Sequence, residues 1–372
     1  MNKDISKYKI FVTGGGTGGH IYPAVSVINE LIKKGVPNDN IFYIGNKKNI
    51  EYKIAQDNNF NFLSTDVFGL PRKFSFKFIQ WCFLLLISII KCLYFSLKYK
   101  PDVVFGTGGY VSAPCLFAAR ILKIPYVLHD SDCNPGIVTR SFSKNAAYVN
   151  LAFVDANKKI QSKNICNFNN PIRSSFFEKS KSDARNELNI KDEFLILIMG
   201  GSQGAKSINT AAIELIKEFK NKDNTKIILQ TGKKNYDEVI NGFDVPENAR
   251  IEPYFDDMSI PILAADLIVS RAGSISISEI LSSKNPSILV PYPYAAADHQ
   301  RVNARAIEKE NAAVYLEDDD VKNGKLINAV EEIISDKEKY NNLKNNASIL
   351  GEKYKKANEL ILDLIFKAAS EK

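Results

Sequence analysis

Two stretches of this chain begin alike, and that repeat constrains the fold more than any other feature. In each, a short run that is apolar at nearly every position leads into a glycine-rich loop, and a stretch with helical spacing follows. The first runs through residues 8–13, Gly14-Gly15-Gly16-Thr17-Gly18-Gly19-His20 and residues 24–34. The second runs through residues 194–199, Gly200-Gly201-Ser202-Gln203-Gly204-Ala205 and residues 208–220. A strand that is apolar on every position is buried on both faces, and strands that alternate with helices run parallel. Further runs of this kind occupy residues 41–44, 103–105, 126–128, 226–230, 267–269 and 287–290. The pattern predicts an α/β chain with two Rossmann-like, doubly wound domains facing across a cleft. A length of 372 residues suffices for two separate cores. The polar, irregular segment 164–185, which contains Asn169-Asn170-Pro171, reads as the linker.

Composition narrows the function classes. A net charge of +7 is modest for this length, and the lysines are spread along the chain. A dedicated nucleic-acid binder concentrates its basic residues on one element. Attraction to an anionic membrane surface or to a pyrophosphate fits the balance better. The five cysteines, Cys82, Cys92, Cys115, Cys133 and Cys166, are odd in number and form no Cys-x-x-Cys pair. Neither a disulfide framework nor a zinc knuckle is expected, and a reducing, cytoplasmic setting is. Residues 10–12 run straight into glycines, far short of a secretory core.

One segment does not suit a soluble α/β domain. Residues 78–90 are almost wholly apolar, interrupted by Gln80 and Ser88 and flanked by Lys77 and Lys91. This is short of the roughly 20 residues that span a bilayer, and the wider stretch 74–97 is broken by those lysines. Two readings stand. One is a core helix packed on the sheet. The other is a helix in the membrane interface, with Phe74, Phe76, Phe78 and Trp81 inserted and Arg72, Lys73 and Lys77 on headgroups. Both hold together if the start is exposed and the rest buried.

The loops carry the chemistry. Gly14, Gly16 and Gly19 fit G-x-G-x-x-G, which lets a backbone approach phosphate but also makes an ordinary tight turn. A nicotinamide site wants an acid at the end of the next strand, and here the chain reads Gly45-Asn46. That opposes an oxidoreductase. The three histidines, His20, His129 and His299, all fall in loop-like segments. His20, where a helix begins, is suited to take a proton from a sugar hydroxyl near neutral pH. The second glycine loop sets Ser202 and free amides at a helix start, a ready diphosphate site, with N-capping as the plainer role for Ser202. In 270–279, small residues up to Ser274 let backbone close on a ligand. Glu279 is suited to accept both ribose hydroxyls, or is an ordinary first-turn acid. Gln300, after Asp298-His299, is suited to sugar hydroxyls. Asp318 and Asp320 make an Asp-x-Asp pattern, but they precede the helical stretch 321–334. There acids act as caps and dipole partners, so no metal is expected.

Together and in order, several segments resemble the MurG family of glycosyltransferases. They are Gly14 to His20 with Pro23, Gly106-Thr107-Gly108-Gly109-Tyr110-Val111-Ser112-Ala113-Pro114, residues 129–140, Asn170-Pro171-Ile172-Arg173, and residues 200–205, 270–279 and 298–304. They cover both halves. The Gly-Gly-Tyr-Val-Ser-x-Pro and Gly-Gly-Ser-Gln-Gly-Ala pieces are specific to that family. The resemblance implies a GT-B fold with an acceptor and membrane-facing domain over residues 1–165. A UDP-GlcNAc domain over 166–351 and a final helix near 352–372 that packs back on the first domain complete it.

The implied reaction moves N-acetylglucosamine from UDP-GlcNAc to the muramyl sugar of lipid I (undecaprenyl-pyrophosphoryl-MurNAc-pentapeptide), forming lipid II with inversion and without metal or cofactor. By matching positions, Thr17, Gly18 and Gly19 contact the donor sugar or the acceptor diphosphate, and His20 is the base. Arg173, Ser202, the Phe255 backbone, Ser274, Ile275, Ser276, Glu279 and Gln300 hold UDP-GlcNAc. Phe74, Phe78 and Trp81 with Lys73 and Lys77 meet the cytoplasmic face of the inner membrane. One motif departs: the family's His-Glu-Gln-Asn is His129-Asp130-Ser131-Asp132 here. Asp132 stands where an asparagine amide would touch donor or acceptor, and an ionised acid cannot donate. Asn134 lies two residues on. The alternative is a related GT-B transferase acting on another lipid, such as diacylglycerol.

Overall fold

The computed structural model describes residues 4–71, 73, 75–201, 203–222, 224–295 and 298–371. Among these residues the apolar runs form two wholly parallel sheets. The first contains β1 (Ile10–Thr13), β2 (Ile41–Asn46), β3 (Asn61–Thr65), β4 (Val103–Gly106), β5 (Tyr126–Asp130), β6 (Tyr148–Leu151) and β7 (Ile165–Cys166), in the order β3-β2-β1-β4-β5-β6-β7. The second contains β8 (Phe194–Met199), β9 (Thr225–Gln230), β10 (Ala249–Glu252), β11 (Leu267–Arg271), β12 (Ser287–Val290) and β13 (Ala313–Tyr315), in the order β10-β9-β8-β11-β12-β13.

The chain separates into two compact units. One comprises residues through Arg173 together with those from Lys356 onward, and the other spans Ser174–Lys355. The segment expected as linker is partly structured: Ile165–Cys166 adds to the first sheet beside β6, and Lys181–Leu188 is a helix with a Ser180/Asp183 capping box.

Alternation along the strands builds a core on each face of the first sheet. Ile10, Val12, Tyr43 and Phe105 pack towards the helices Gly18–Lys33 and Ala357–Ser370. Phe11, Phe42, Ile44 and Val104 pack on the other side with Cys92 and Leu116. The C-terminal helix is anchored by Ile361, Leu362 and Ile365 and by a reciprocal pair of hydrogen bonds. Asn358 Oδ1 accepts from Ile172 N at 3.1 Å, and Asn358 Nδ2 donates to Ile172 O at 2.9 Å. In the second unit Ile196, Ile198, Leu229 and Val269 close on the helices Lys206–Phe219 and Lys325–Ser335.

The apolar segment forms one helix, Phe76–Tyr99, long and apolar enough to cross a membrane by length and composition. It is not a core helix. Its buried residues are Ser88, Cys92 and Ser96, a strip of small side chains at i, i+4 and i+8. Phe76, Ile79, Phe83, Leu86, Ile90, Tyr94 and Leu97 are exposed, Phe76 at 82%. The helix therefore lays its small residues on the unit and turns its large apolar ones to solvent, the reverse of an ordinary surface helix.

Candidate active site

In an open parallel sheet a ligand crevice forms at the carboxyl ends of the strands where the strand order reverses. In the first unit that point lies between β1 and β4. The loop after β1 carries Gly14 to Gly19, and the loop after β4 carries Thr107, Gly108 and Gly109. Thr107 joins them: its N–H donates to Thr13 O at 2.9 Å and its hydroxyl to His20 O at 2.6 Å. Gly109 has φ +75°, and a Cβ there would stand 2.3 Å from Gly15 O and 3.1 Å from His20 Nδ1. Only glycine allows this approach.

His20 is the third residue of Gly18–Lys33, half-buried among these loops. Its Nδ1 lies 3.0 Å from the hydroxyl of Thr17, which occupies the N-cap position. Its Nε2 edge lies against Gly108, where a Cβ would be 3.3 Å away. The β5 loop completes the surroundings, because the Ser131 hydroxyl donates to Gly19 O at 2.9 Å. In the tautomer in which Nδ1–H donates to the Thr17 hydroxyl, Nε2 keeps a lone pair, the form a general base needs. Gly18 sits beside the Tyr22 ring, and the Arg173 guanidinium lies 5.7 Å from that ring's centre. Arg173 thus belongs with the first glycine loop in the first unit.

Two buried acids lie beneath this surface, Glu51 and Asp130. Glu51 is fully buried and accepts from Gly16 N at 3.4 Å, Asn46 N at 3.2 Å and Asn49 Nδ2 at 3.0 Å. The acid nearest the end of β2 is therefore turned under the loop, and Asn46 donates to Val67 O at 2.8 Å. Asp130 accepts from Gly136 N at 3.0 Å and from Asp132 N at 3.3 Å. Burial pushes its carboxyl above the ordinary range, and the nearby Asp132 adds to this, against the Thr139 hydroxyl and His20. Asp132 and Asn134 are half-buried beside it, and Asn134 Oδ1 accepts from Lys159 Nζ at 3.4 Å.

His129 is not a loop residue as expected. β5 continues through it, and it is fully buried. Asn150 Oδ1 accepts from Phe168 N at 2.8 Å, which turns the Asn150 amide nitrogen towards His129 Nδ1 at 2.9 Å. Nδ1 is therefore the acceptor, and Nε2–H donates to Asn170 Oδ1 at 3.0 Å. Burial first, and then the neighbouring His20, pushes the imidazole down to about 4 despite the Asn170 contact.

In the second unit the strand order reverses between β8 and β11, so the loops after β8, β11 and β12 stand side by side. The second glycine loop precedes the helix Lys206–Phe219, whose N-cap position is held by Ala205 and not by Ser202. Ser202 itself, like Phe74 in the other unit, lies outside the described residues. Gly204 has φ +73°, and a Cβ there would stand 1.8 Å from Thr231 O. The Phe255 amide donates to Gln230 Oε1 at 3.1 Å.

Ser274, Ile275 and Ser276 form the first turn of Ser274–Ser282, so Glu279 falls in the second turn and is buried. The reading of Glu279 as a first-turn acid does not hold. Gln300, second in the helix His299–Lys309, accepts from Tyr292 N at 2.9 Å, fastening the β12 loop to that helix.

The Asp-x-Asp acids part company. Glu317 holds the N-cap position of Asp318–Lys322, and Asp320 accepts from Glu317 N at 3.1 Å in a capping box. Asp318 turns inward and pairs with Arg271 at 2.7 Å. Of the residues expected at the membrane, Lys73 and Lys77 are exposed, while Phe78 and Trp81 are half-buried and stack on each other. Trp81 Nε1 donates to Phe68 O at 2.8 Å. The exposed apolar face is carried instead by Ile79, Phe83 and the residues that follow them at helical spacing.

Two doubly wound units, each with a glycine loop at its switch point, are the GT-B architecture, and the family matches make the chain a glycosyltransferase. The glycosyltransferase family 28 N-terminal domain matches residues 10–150, and the family's C-terminal domain matches residues 195–361. A UDP-N-acetylglucosamine--N-acetylmuramyl-(pentapeptide) pyrophosphoryl-undecaprenol N-acetylglucosamine transferase of Carboxydothermus hydrogenoformans is 37% identical over 91% of this chain and 92% of its own. The enzyme of the same name from Halothermothrix orenii is 36% identical over 96% of this chain and 98% of its own. The crystal structure of Acinetobacter baumannii MurG shares the fold, with a TM-score of 0.75 at 24% identity over 97% of this chain and 99% of that one. The chain belongs to this family of N-acetylglucosamine transferases, within glycosyltransferase family 28.

Proposed function

We propose that the chain moves N-acetylglucosamine from UDP-GlcNAc to the muramyl sugar of lipid I in one inverting, metal-independent displacement. The observation that carries the mechanism is the convergence of three loops of the first unit on His20, with Nδ1 turned to Thr17 and Nε2 left to act. His20 removes the proton of the acceptor hydroxyl as that oxygen attacks the anomeric carbon. The C1–O bond to UDP breaks on the opposite face, and the sugar inverts. Charge developing on UDP falls to the amides that start the helix Lys206–Phe219, and Ser202 and Arg173 are assigned to the same diphosphate. Ser274, Ile275, Ser276, Glu279, Gln300 and the Phe255 backbone hold the nucleotide and sugar. Thr17, Gly18, Gly19, Asp132 and Asn134 face the acceptor. The engagement of Asp318 with Arg271 and of Asp320 in a cap supports the metal-independent reading.

We also propose peripheral attachment to the cytoplasmic face of the plasma membrane. The exposed face from Phe76 to Leu97 lies in the interface, with Lys73, Lys77, Lys98 and Lys100 near its two ends on anionic headgroups. The mechanism is tested with His20→Ala. Turnover is expected to fall by about 10²–10⁴, while calorimetry shows UDP-GlcNAc affinity within twofold. Turnover near the wild-type value would exclude His20 as the base.

A further inference from the structure

The Asp-x-Asp pattern has a structural partner that the sequence does not announce. Arg271, the last residue of β11, is buried, as is Asp318. One guanidinium nitrogen, Nη1, lies 2.7 Å from Asp318 Oδ1 and donates to Pro291 O at 2.9 Å and Val290 O at 3.3 Å. The other, Nη2, donates to the Ser207 hydroxyl at 2.8 Å, and that hydroxyl donates to Asp318 Oδ1 at 2.6 Å. Lys322 Nζ closes the group at 2.9 Å from Asp318 Oδ2.

These contacts reach all three loops at the switch point of the second sheet. Ser207 is the second residue of the helix that follows the second glycine loop. Val290 and Pro291 end β12 and lead into Tyr292, whose amide is held by Gln300. Arg271 itself leads into Ala272, Gly273 and Ser274. A planar guanidinium has five donors in a fixed fork, so it can hold several acceptors at set angles where an ammonium cannot. A buried guanidinium also needs a counter-charge, which Asp318 supplies.

We propose that Arg271 and Asp318 form a brace that positions the nucleotide-sugar loops from behind, so that Asp318 serves donor binding by holding protein and not a cation. This rests on the second unit being the UDP-GlcNAc site. Both are positioning residues. The brace sets where the helix amides and Gln300 stand, and small misplacement of such groups is costly.

The test is calorimetric affinity for UDP-GlcNAc together with the KM for each substrate, in Arg271→Lys, Asp318→Asn and Ser207→Ala. Arg271→Lys keeps the charge and loses the fork, and Ser207→Ala removes one hydroxyl at the edge of the group. Donor Kd and KM are expected to rise about tenfold or more in the first two and several-fold in Ser207→Ala. The acceptor KM should stay within twofold, because the acceptor is assigned to the other unit. A merely structural role would lower the amount of folded enzyme and leave both KM values alone. Unchanged donor affinity in folded Arg271→Lys, or in Ser207→Ala should the charged-pair variants not fold, overturns the brace while the donor site stands. If the wild-type protein takes up no UDP-GlcNAc, the donor site falls and the brace with it.

Discussion

Lowering the pH should destabilise the first unit through His129, and the size of the effect follows from its surroundings. The ring is fully buried, and the orientation of Asn150 is fixed by Phe168 N. A second proton on the ring would point Nδ1–H at another donor and place a charge in the core. An ordinary imidazole titrates near 6.5, and this one is pushed down to about 4. In that window the unfolded chain binds a proton that the folded chain refuses. The stability is therefore complete above about pH 6.5 and is lost as pH falls, by about 1.4 kcal/mol per pH unit, to a total of about 3 kcal/mol near pH 4. The chain has one tryptophan, Trp81, which lies in this unit, so urea unfolding followed by its emission reports the unit directly. His129→Gln keeps a donor for Asn170 and cannot titrate. It should be less stable than wild type at pH 7 by about 1–2 kcal/mol, from the lost Asn150 contact, and should shed the one-proton slope between pH 6.5 and 4.5. Imidazole NMR gives the second measurement, with only three rings to resolve. Equal slopes in the two proteins, or a His129 ring that titrates near 6.5, would refute the reasoning.

Three further outcomes are expected. Gly204→Ala, at φ +73° with its Cβ 1.8 Å from Thr231 O, should destabilise the second unit by about 2 kcal/mol or more and weaken UDP-GlcNAc uptake; unchanged melting and calorimetry would contradict it. Ile79→Glu with Phe83→Glu should release the protein from anionic vesicles by about tenfold or more in sedimentation while UDP-GlcNAc affinity holds, and undiminished sedimentation would show that this face is not the contact. Glu51→Gln exchanges a carboxylate that accepts three N–H groups for an amide with one acceptor, so the urea midpoint of the first unit should correspond to a loss of about 2 kcal/mol; a neutral result would mean that those donors find other partners.

The fold was legible where strands are apolar throughout and flanked by glycine loops, because full burial on both faces leaves little ambiguity of class. It was less legible at the edges. β3 reads Asn61-Phe-Leu-Ser-Thr65 and β7 is two residues long, so neither shows a burial pattern; they exist because a neighbouring strand supplies the ladder. His129 looked like a loop residue because a histidine and an aspartate end an apolar run. The structure keeps both in β5 by satisfying them with Asn150, Asn170 and Gly136 from distant sequence. Glu51 was invisible for the same reason, since two of its three partners are main-chain groups, of Gly16 and Asn46, brought to it by the fold. The exposed apolar face was anticipated near the start of its helix, but the helical phase put Trp81 half inside. Hydrophobicity alone does not say which face lies down; the small residues Ser88, Cys92 and Ser96 do.

The two glycine loops look interchangeable in sequence, yet their surroundings differ in sign. Beneath the first, a buried carboxylate takes Gly16 N at 3.4 Å, and Asp130 and Asp132 stand close by. The Gly16 amide, already held by an acid, is not available to a phosphate, and the acids at the border of the site are suited to accept from hydroxyls. Behind the second loop runs a helix of 14 residues whose start has no side-chain cap among the described residues. Its free amides and dipole favour negative charge, and the buried acid Asp318 is engaged by Arg271 and Lys322. The proposed division of labour, with an acceptor hydroxyl at the first loop and a nucleotide diphosphate at the second, accords with the charges the fold buries beneath each. Reversing the signs offers a direct check. Glu51→Lys, if it folds, would bring a cation under the first loop and should draw UDP towards the wrong unit, seen as a second calorimetric site. A single unchanged site in a folded variant would mean that the buried charge does not direct the ligand.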